Sequence, residues 1–208
     1  MTRALILLIF TFALPFCVQG QKLFKKTFDS SSAKEVQIDA RFVYRVVLHT
    51  HNSEQIIVSA RSEGEYGNDM VINLWQEAAT VYIGTNFHPD YQPKNDKLSA
   101  HKVLSVELDV FLPSYFDVSL SGGSTNVVAE GLYESLEVNL ESGRCELNEV
   151  TGLVQVTTLS GDIFLNGGKG ILNAESEYGQ TYSVQLDTGP SDYNLNSTKG
   201  DIKILSAK

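Results

Sequence analysis

Cysteine is almost missing from this chain, with Cys17 and Cys145 the only thiols in 208 residues. Cys17 falls in an N-terminal apolar segment that reads as a removable leader. The exported chain would then keep one thiol and no internal disulfide, leaving its stability to packing and backbone pairing. Basic residues are also scarce, 16 Lys and Arg against 25 Asp and Glu, for a formal net charge of −9. No Lys/Arg stripe offsets that charge, so the electrostatic footprint of a nucleic-acid binder is lacking. Acidity of this kind serves solubility and repels anionic surfaces. Apolar residues nowhere recur at three-to-four spacing over a helical length. Long apolar runs are limited to one, Ala4–Leu14, so the mature chain has no candidate membrane-crossing segment.

That run has the flanks of a signal peptide over residues 1–20. Arg3 precedes it, Pro15 breaks it, and Val18-Gln19-Gly20 supplies small-enough residues at the positions a signal peptidase reads. A lipid-modified Cys17 would need a small residue before it, and Phe16 stands there. The expectation is a cleaved, unanchored chain in the periplasm, at the cell surface or secreted. A retained N-terminal anchor is the rival reading.

What the sequence has in quantity is period-2 alternation. Residues 35–50 place Phe42, Tyr44, Val46 and Leu48 on one face, with Arg41, Arg45 and His49 on the other beside Val43 and Val47. Further strands are expected over Gln55–Arg61, Met70–Trp75, Thr80–Gly84 and Val103–Leu112, the last ended by Pro113. Beyond about Tyr115 a repeat takes over. Gly123, Gly143, Gly161, Gly179 and Gly200 each sit between alternating inward residues, such as Leu136/Val138/Leu140 before Gly143 and Cys145/Leu147 after it. Alternation, a glycine corner and alternation again make one coil of a stacked β-solenoid. The reading is all-β: an antiparallel N-terminal region over 21–113, then a short right-handed β-helix or solenoid of about five coils over 114–208, its last two packed as one unit. The last coil would end at Ile204, leaving an edge for charge or a second copy to cover.

Candidate chemistry is sparse. The long irregular segment 85–101 carries Phe87, His88, Tyr91, Lys97 and His101, which together offer a small adaptable binding surface. The alternative is a hairpin loop whose aromatics cover a core edge. His49 and His51 share one side of a strand, but Arg41 and Arg45 lie on that side and no carboxylate is locally paired, so no metal site is assigned. Asp162 and Asp201 follow corner glycines and would lie about 10 Å apart, with one coil between them. That separation resembles a carboxylate pair of an inverting glycosidase, yet Asp is common after a turn glycine and nothing nearby would raise one pKa. Cys145 falls in an inward register and reads as core. Ser121-Gly122-Gly123-Ser124 lacks the lysine and helix of a phosphate loop. Asn196-Ser197-Thr198 fits a glycosylation acceptor, with Ser197 in an inward register. No catalytic residue, metal or cofactor is assigned.

The coils Ser160–Leu165 (SGDIFL) and Lys199–Ile204 (KGDIKI), after a lead ending in Val106–Pro113 (VELDVFLP), resemble the toastrack-type bacterial β-strand-repeat proteins. Those are related to the head-GIN auto-transporter adhesin family. The resemblance implies an exported envelope protein with a β-helix-like body and no catalytic residues to carry over. Gly143-Arg144-Cys145 and Gly179-Gln180-Thr181 depart from the Gly-Asp-Ile core. The function expected is a non-enzymatic binding, adhesion-like or structural module whose partner is an envelope protein or a glycan. A polysaccharide-acting enzyme and the extracytoplasmic part of a signalling system are the alternatives.

Overall fold

The computed structural model describes residues 22–63, 70–87 and 105–205. Those residues are all-β, with no helix, and strand pairing joins them in one 15-stranded sheet. Alternation explains the strands themselves. In β7 (Ser105–Pro113), Val106, Leu108, Val110 and Leu112 are buried while Asp109 and Phe111 are exposed, as period 2 requires on a half-buried surface.

The pairings fall into two columns. In the first, β5 (Met70–Glu77) pairs antiparallel with β6 (Thr80–Phe87), which pairs parallel with β2 (Glu35–Asp39). The column continues in parallel through β8 (Asp117–Ser124), the second half of β9 (Asn126–Ser142), the second half of β10 (Cys145–Thr158), β14 (Asp187–Ser197) and β12 (Lys169–Ser176). In the second column, β1 (Lys22–Asp29) and β4 (Gln55–Glu63) are antiparallel, as are β4 and β7. From β7 the column runs in parallel through β3 (Arg45–His51), the first halves of β9 and β10, β11 (Ile163–Asn166), β15 (Ile202–Leu205) and β13 (Thr181–Tyr182). Strands β9 and β10 serve both columns, and inward residues of the two share one hydrophobic cluster.

The order corrects two expectations. Strands β2 and β3 pair in parallel on both sides, so the N-terminal part is only partly antiparallel. The C-terminal segment is also not at the edge: β14 lies between β10 and β12, and β15 between β11 and β13. Ile202 and Ile204 are accordingly buried, and the bare edge belongs to β12 and β13. There Leu172, Ala174 and Ser176 are only half-buried, and Thr181 and Ser183 are exposed. Phe42 and Tyr44 are exposed too, by 47% and 55%, while Val43 is buried. Residues 40–44 turn the chain from one column to the other, so a single alternating strand does not run through them.

Glycine is needed where corners stack backbone on backbone. A Cβ on Gly143, whose φ is +98°, would lie 2.2 Å from Thr125 O, and one on Gly161 would lie 2.1 Å from Gly143 O. The column then passes to Gly200 and only afterwards to Gly179, the same exchange of order that the strands show. Corner hydroxyls supply the matching polar contacts. Thr158 Oγ1 is 2.6 Å from Gly161 O and 2.9 Å from Ser197 Oγ, and Gly200 N donates to Ser197 Oγ at 2.8 Å. Thr158, Ser176 and Ser197 are therefore hydroxyls that satisfy corner backbone.

Candidate functional site

Outward residues of the first column form rows, because parallel register repeats one position on each successive strand. One row holds Trp75, Tyr82, Gln37, Ser119, Glu137, Gln155, Asn194 and Asn173. The next holds Asn73, Gly84, Asp39, Ser121, Asn139, Thr157, Asn196 and Glu175. Strand spacing of about 4.8 Å makes this face roughly 35 Å long. Amides, hydroxyls and carboxylates dominate it.

Its aromatic end is built by a hairpin. Glu77 and Thr80 pair across Ala78-Ala79, and Ala78 takes the positive φ of 52° that a tight turn uses. That register sets Trp75 opposite Tyr82, where the rings stack with centroids 5.0 Å apart and planes at 9°. Trp75 stays 48% exposed. Beside the stack lies a cleft of about 320 Å³ lined by Gln37, Asp39, Arg41, Tyr82, Ser119 and Ser121, among others. Arg41 Nη2 and Nε donate to Asp39 at 2.6 and 2.9 Å. Hydrogen bonds from Arg41 hold the Asp39 carboxyl below its usual range against the opposing effect of partial burial.

Along the strands, amides are pinned two residues away. Gln37 Nε2 donates to Glu35 at 2.8 Å, Asn139 Nδ2 to Glu137 at 2.8 Å, and Asn196 Nδ2 to Asn194 at 2.9 Å. These bonds fix the side chains before anything arrives, which lowers the ordering cost of binding.

The opposite column's outer face is different. His49 stacks on Phe111 with centroids 4.6 Å apart, and its Nδ1 is 2.5 Å from Glu130 Oε1, so it does have a carboxylate partner. His51 Nε2 contacts Gln55 O at 2.7 Å. Phe164 lies under the Arg144 guanidinium at 4.7 Å and the Lys203 ammonium at 5.4 Å. Asp162 and Asp201 immediately precede adjacent strands, not strands two apart, and Asp201 N donates to Asp162 Oδ1 at 2.9 Å while Gln180 N donates to Asp201 Oδ1 at 3.0 Å. They cap corner backbone. Cys145 is fully buried, and burial pushes its thiol up to about 12. Among the described residues no three His, Cys, Asp or Glu side chains gather as a metal set, and no helix is long and apolar enough to cross a membrane.

Of the residues singled out from sequence, Phe87 ends β6. His88, Tyr91, Lys97 and His101 lie outside the described residues. The Trp75–Tyr82 stack was not anticipated. Its signal was available, because a two-residue turn at Ala78-Ala79 forces residues 75 and 82 into register.

No protein-family model matches this sequence, and no curated protein matches it either. Among solved structures the chain is similar to a provisionally named cell adhesion protein from Clostridium sporogenes. The identity is 14% and the TM-score 0.61, over 91% of this chain and all of that one. The shared property is the fold. A provisionally named adhesin from Bacteroides fragilis is 13% identical, with a TM-score of 0.33 over 89% of this chain and 98% of that one.

Proposed function

We propose that this chain is an exported, non-enzymatic envelope or cell-surface module with an adhesion-like role, wound as a flattened β-solenoid of the toastrack type. The observation that carries the reading is the outer face of the first column. It is a long, rigid array of repeated amide, hydroxyl and carboxylate side chains with an aromatic stack at one end. Such repeat scaffolds offer extended surfaces for contact. The fold shared with the Clostridium sporogenes protein named for cell adhesion supports the role, and the leader over residues 1–20 supports export. Strand β6 carries Tyr82 and runs to Phe87. We further propose that His88, Tyr91, Lys97 and His101 contribute to binding.

Two measurements test this. Protease treatment of intact cells should remove the protein, and the purified exported chain should bind those cells. Lysines placed on the face by Ser119→Lys and Gln155→Lys should abolish that binding, whereas Asp109→Lys on the opposite column should leave it intact. Retention of the unmodified chain in the cytoplasm, or equal loss in both variants, would sink the reading.

A further inference from the structure

We propose that the cleft beside the Trp75–Tyr82 stack binds an uncharged, hydroxyl-rich glycan, whose chain continues along the rows of the first column. The proposal rests on the reading of this face as the contact surface and adds the chemistry of what it contacts.

Three features select that chemistry. The first is the pair of rings: a half-exposed indole stacked at 5.0 Å on Tyr82 presents a large, rigid apolar surface with polar tips. A sugar ring has the complementary form, with an apolar C–H face and polar edges. The second is the donor and acceptor balance. Gln37, Ser119 and Ser121 line the cleft, and Asn139, Gln155, Thr157, Asn194 and Asn196 continue the rows. Amides and hydroxyls both donate and accept, as sugar hydroxyls do, so one array can serve either hydrogen direction. The third is charge. The cation lining the cleft, Arg41, is engaged by Asp39 at 2.6 and 2.9 Å. Glu137 and Glu175 stand in the two rows, and Glu35, Asp117 and Asp192 stand in the next row of the same strands. An anionic lipid surface, nucleic acid or polyuronate would meet like charge.

Size agrees with the assignment. A cleft of about 320 Å³ is at the small end of ligand pockets, which run from about 300 Å³, and suits a single sugar ring. The rows beyond it repeat every strand, as the units of a linear glycan repeat along its chain. The preset amide orientations in Gln37, Asn139 and Asn196 reduce what must be ordered on binding.

Trp75 is the only tryptophan of the chain, so its emission reports on this site alone. The exported chain is titrated with three soluble neutral polysaccharides, a β-glucan, a galactomannan and a xylan, and with polygalacturonate as the charged control. At least one neutral polymer should shift Trp75 emission saturably. Tyr82→Ala should weaken that binding at least tenfold, Tyr82→Phe should restore most of it, and Gln37→Ala should weaken it several-fold. Tyr44→Ala, outside the cleft, should change nothing, and thermal unfolding by circular dichroism checks that each variant folds. A response to polygalacturonate alone, no response to any neutral polymer, or a response indifferent to Tyr82→Ala overturns the glycan assignment. If cell binding still depends on Ser119 and Gln155 while neutral polysaccharides fail to compete, the ligand class is wrong and the contact face stands. If cell binding ignores those positions, the face itself is wrong.

Discussion

The two ends of the strand stack solve the same problem differently. At the end nearest the N-terminus, antiparallel strands close both columns: β5 lies outside β6, and β4 with β1 lies outside β7. The layer beneath is thereby dry, with Val81 and Ile83 in β6 and Leu108 and Val110 in β7 almost wholly buried. At the other end, β12 and β13 have no strand outside them among the described residues. Ile171 is 64% exposed, and Leu172, Ala174 and Leu186 are half-buried around a groove of about 570 Å³. An unpaired edge invites further pairing. Here the inward residues of the edge layer shrink to Ala174, Ser176, Thr181 and Ser183, which limits the apolar surface left open. One end is capped by added strands, the other by thinning its own core.

Deleting a side chain from the last parallel strand layer at each end should expose that difference. Ile83→Ala removes a buried side chain under a covering strand and should cost about 3 kcal/mol of unfolding free energy. Leu172→Ala removes a half-wet one and should cost about 1 kcal/mol. Chemical denaturation of both variants measures the gap. Equal losses would mean that the bare edge is covered in solution.

The corner glycines make a second contrast. A Cβ on Gly161 would meet Gly143 O at 2.1 Å, whereas one on Gly123, at the N-terminal side, would meet nothing closer than Arg41 O at 3.8 Å. Gly161→Ala should therefore destabilise by about 2 kcal/mol through forced backbone shifts. Gly123→Ala should stay within about 0.5 kcal/mol. Loss of stability in both would show that the repeat of five glycines has one cause throughout, not the four-member stack seen here.

These contrasts mark what the sequence could and could not reveal. Inward positions such as Leu136, Val138, Cys145, Ile163 and Ile204 were legible, because alternation is written locally and burial follows it. Neighbour order was not. A parallel ladder is made by backbone groups, and the pattern Ile202-Lys203-Ile204 would suit any adjacent layer equally well. Nothing local says that β15 slips between β11 and β13, so the sequence alone puts the bare edge one layer too late and Asp162 too far from Asp201. The contact face was missed for a related reason. Tyr82 and Gln37 are 45 residues apart and become neighbours only through the parallel pairing of β6 with β2.

Buried tyrosines offer a finer test near the C-terminal end. Tyr193 is fully buried and its hydroxyl donates to Val150 O at 2.6 Å. Tyr193→Phe keeps the ring but leaves that carbonyl without the hydroxyl, for a loss of about 1 kcal/mol. Tyr133, whose hydroxyl donates to Glu130 O at 3.1 Å from a less enclosed position, should lose less on the same change. The comparison is by denaturant midpoint at unchanged slope.

The smallest expected effect is electrostatic and belongs to the N-terminal half. Hydrogen bonds from Arg41 hold the Asp39 carboxyl below its ordinary value of 3.8. The folded chain thus binds that proton less readily than the unfolded chain does, so stability rises with pH across the interval between the two values. The contribution is complete above the ordinary carboxylate range and is lost as pH falls through the depressed one. Both partners are exposed, so solvent screens the pair and its share is small. Asp39→Asn removes the titrating group, and the difference between the parent and this variant should be present at pH 6 and fade below pH 4. No difference between the two at any pH would show that Asp39 acts through its turn hydrogen bond to the Arg41 backbone N–H, which the amide oxygen of Asn can also accept, and not through charge.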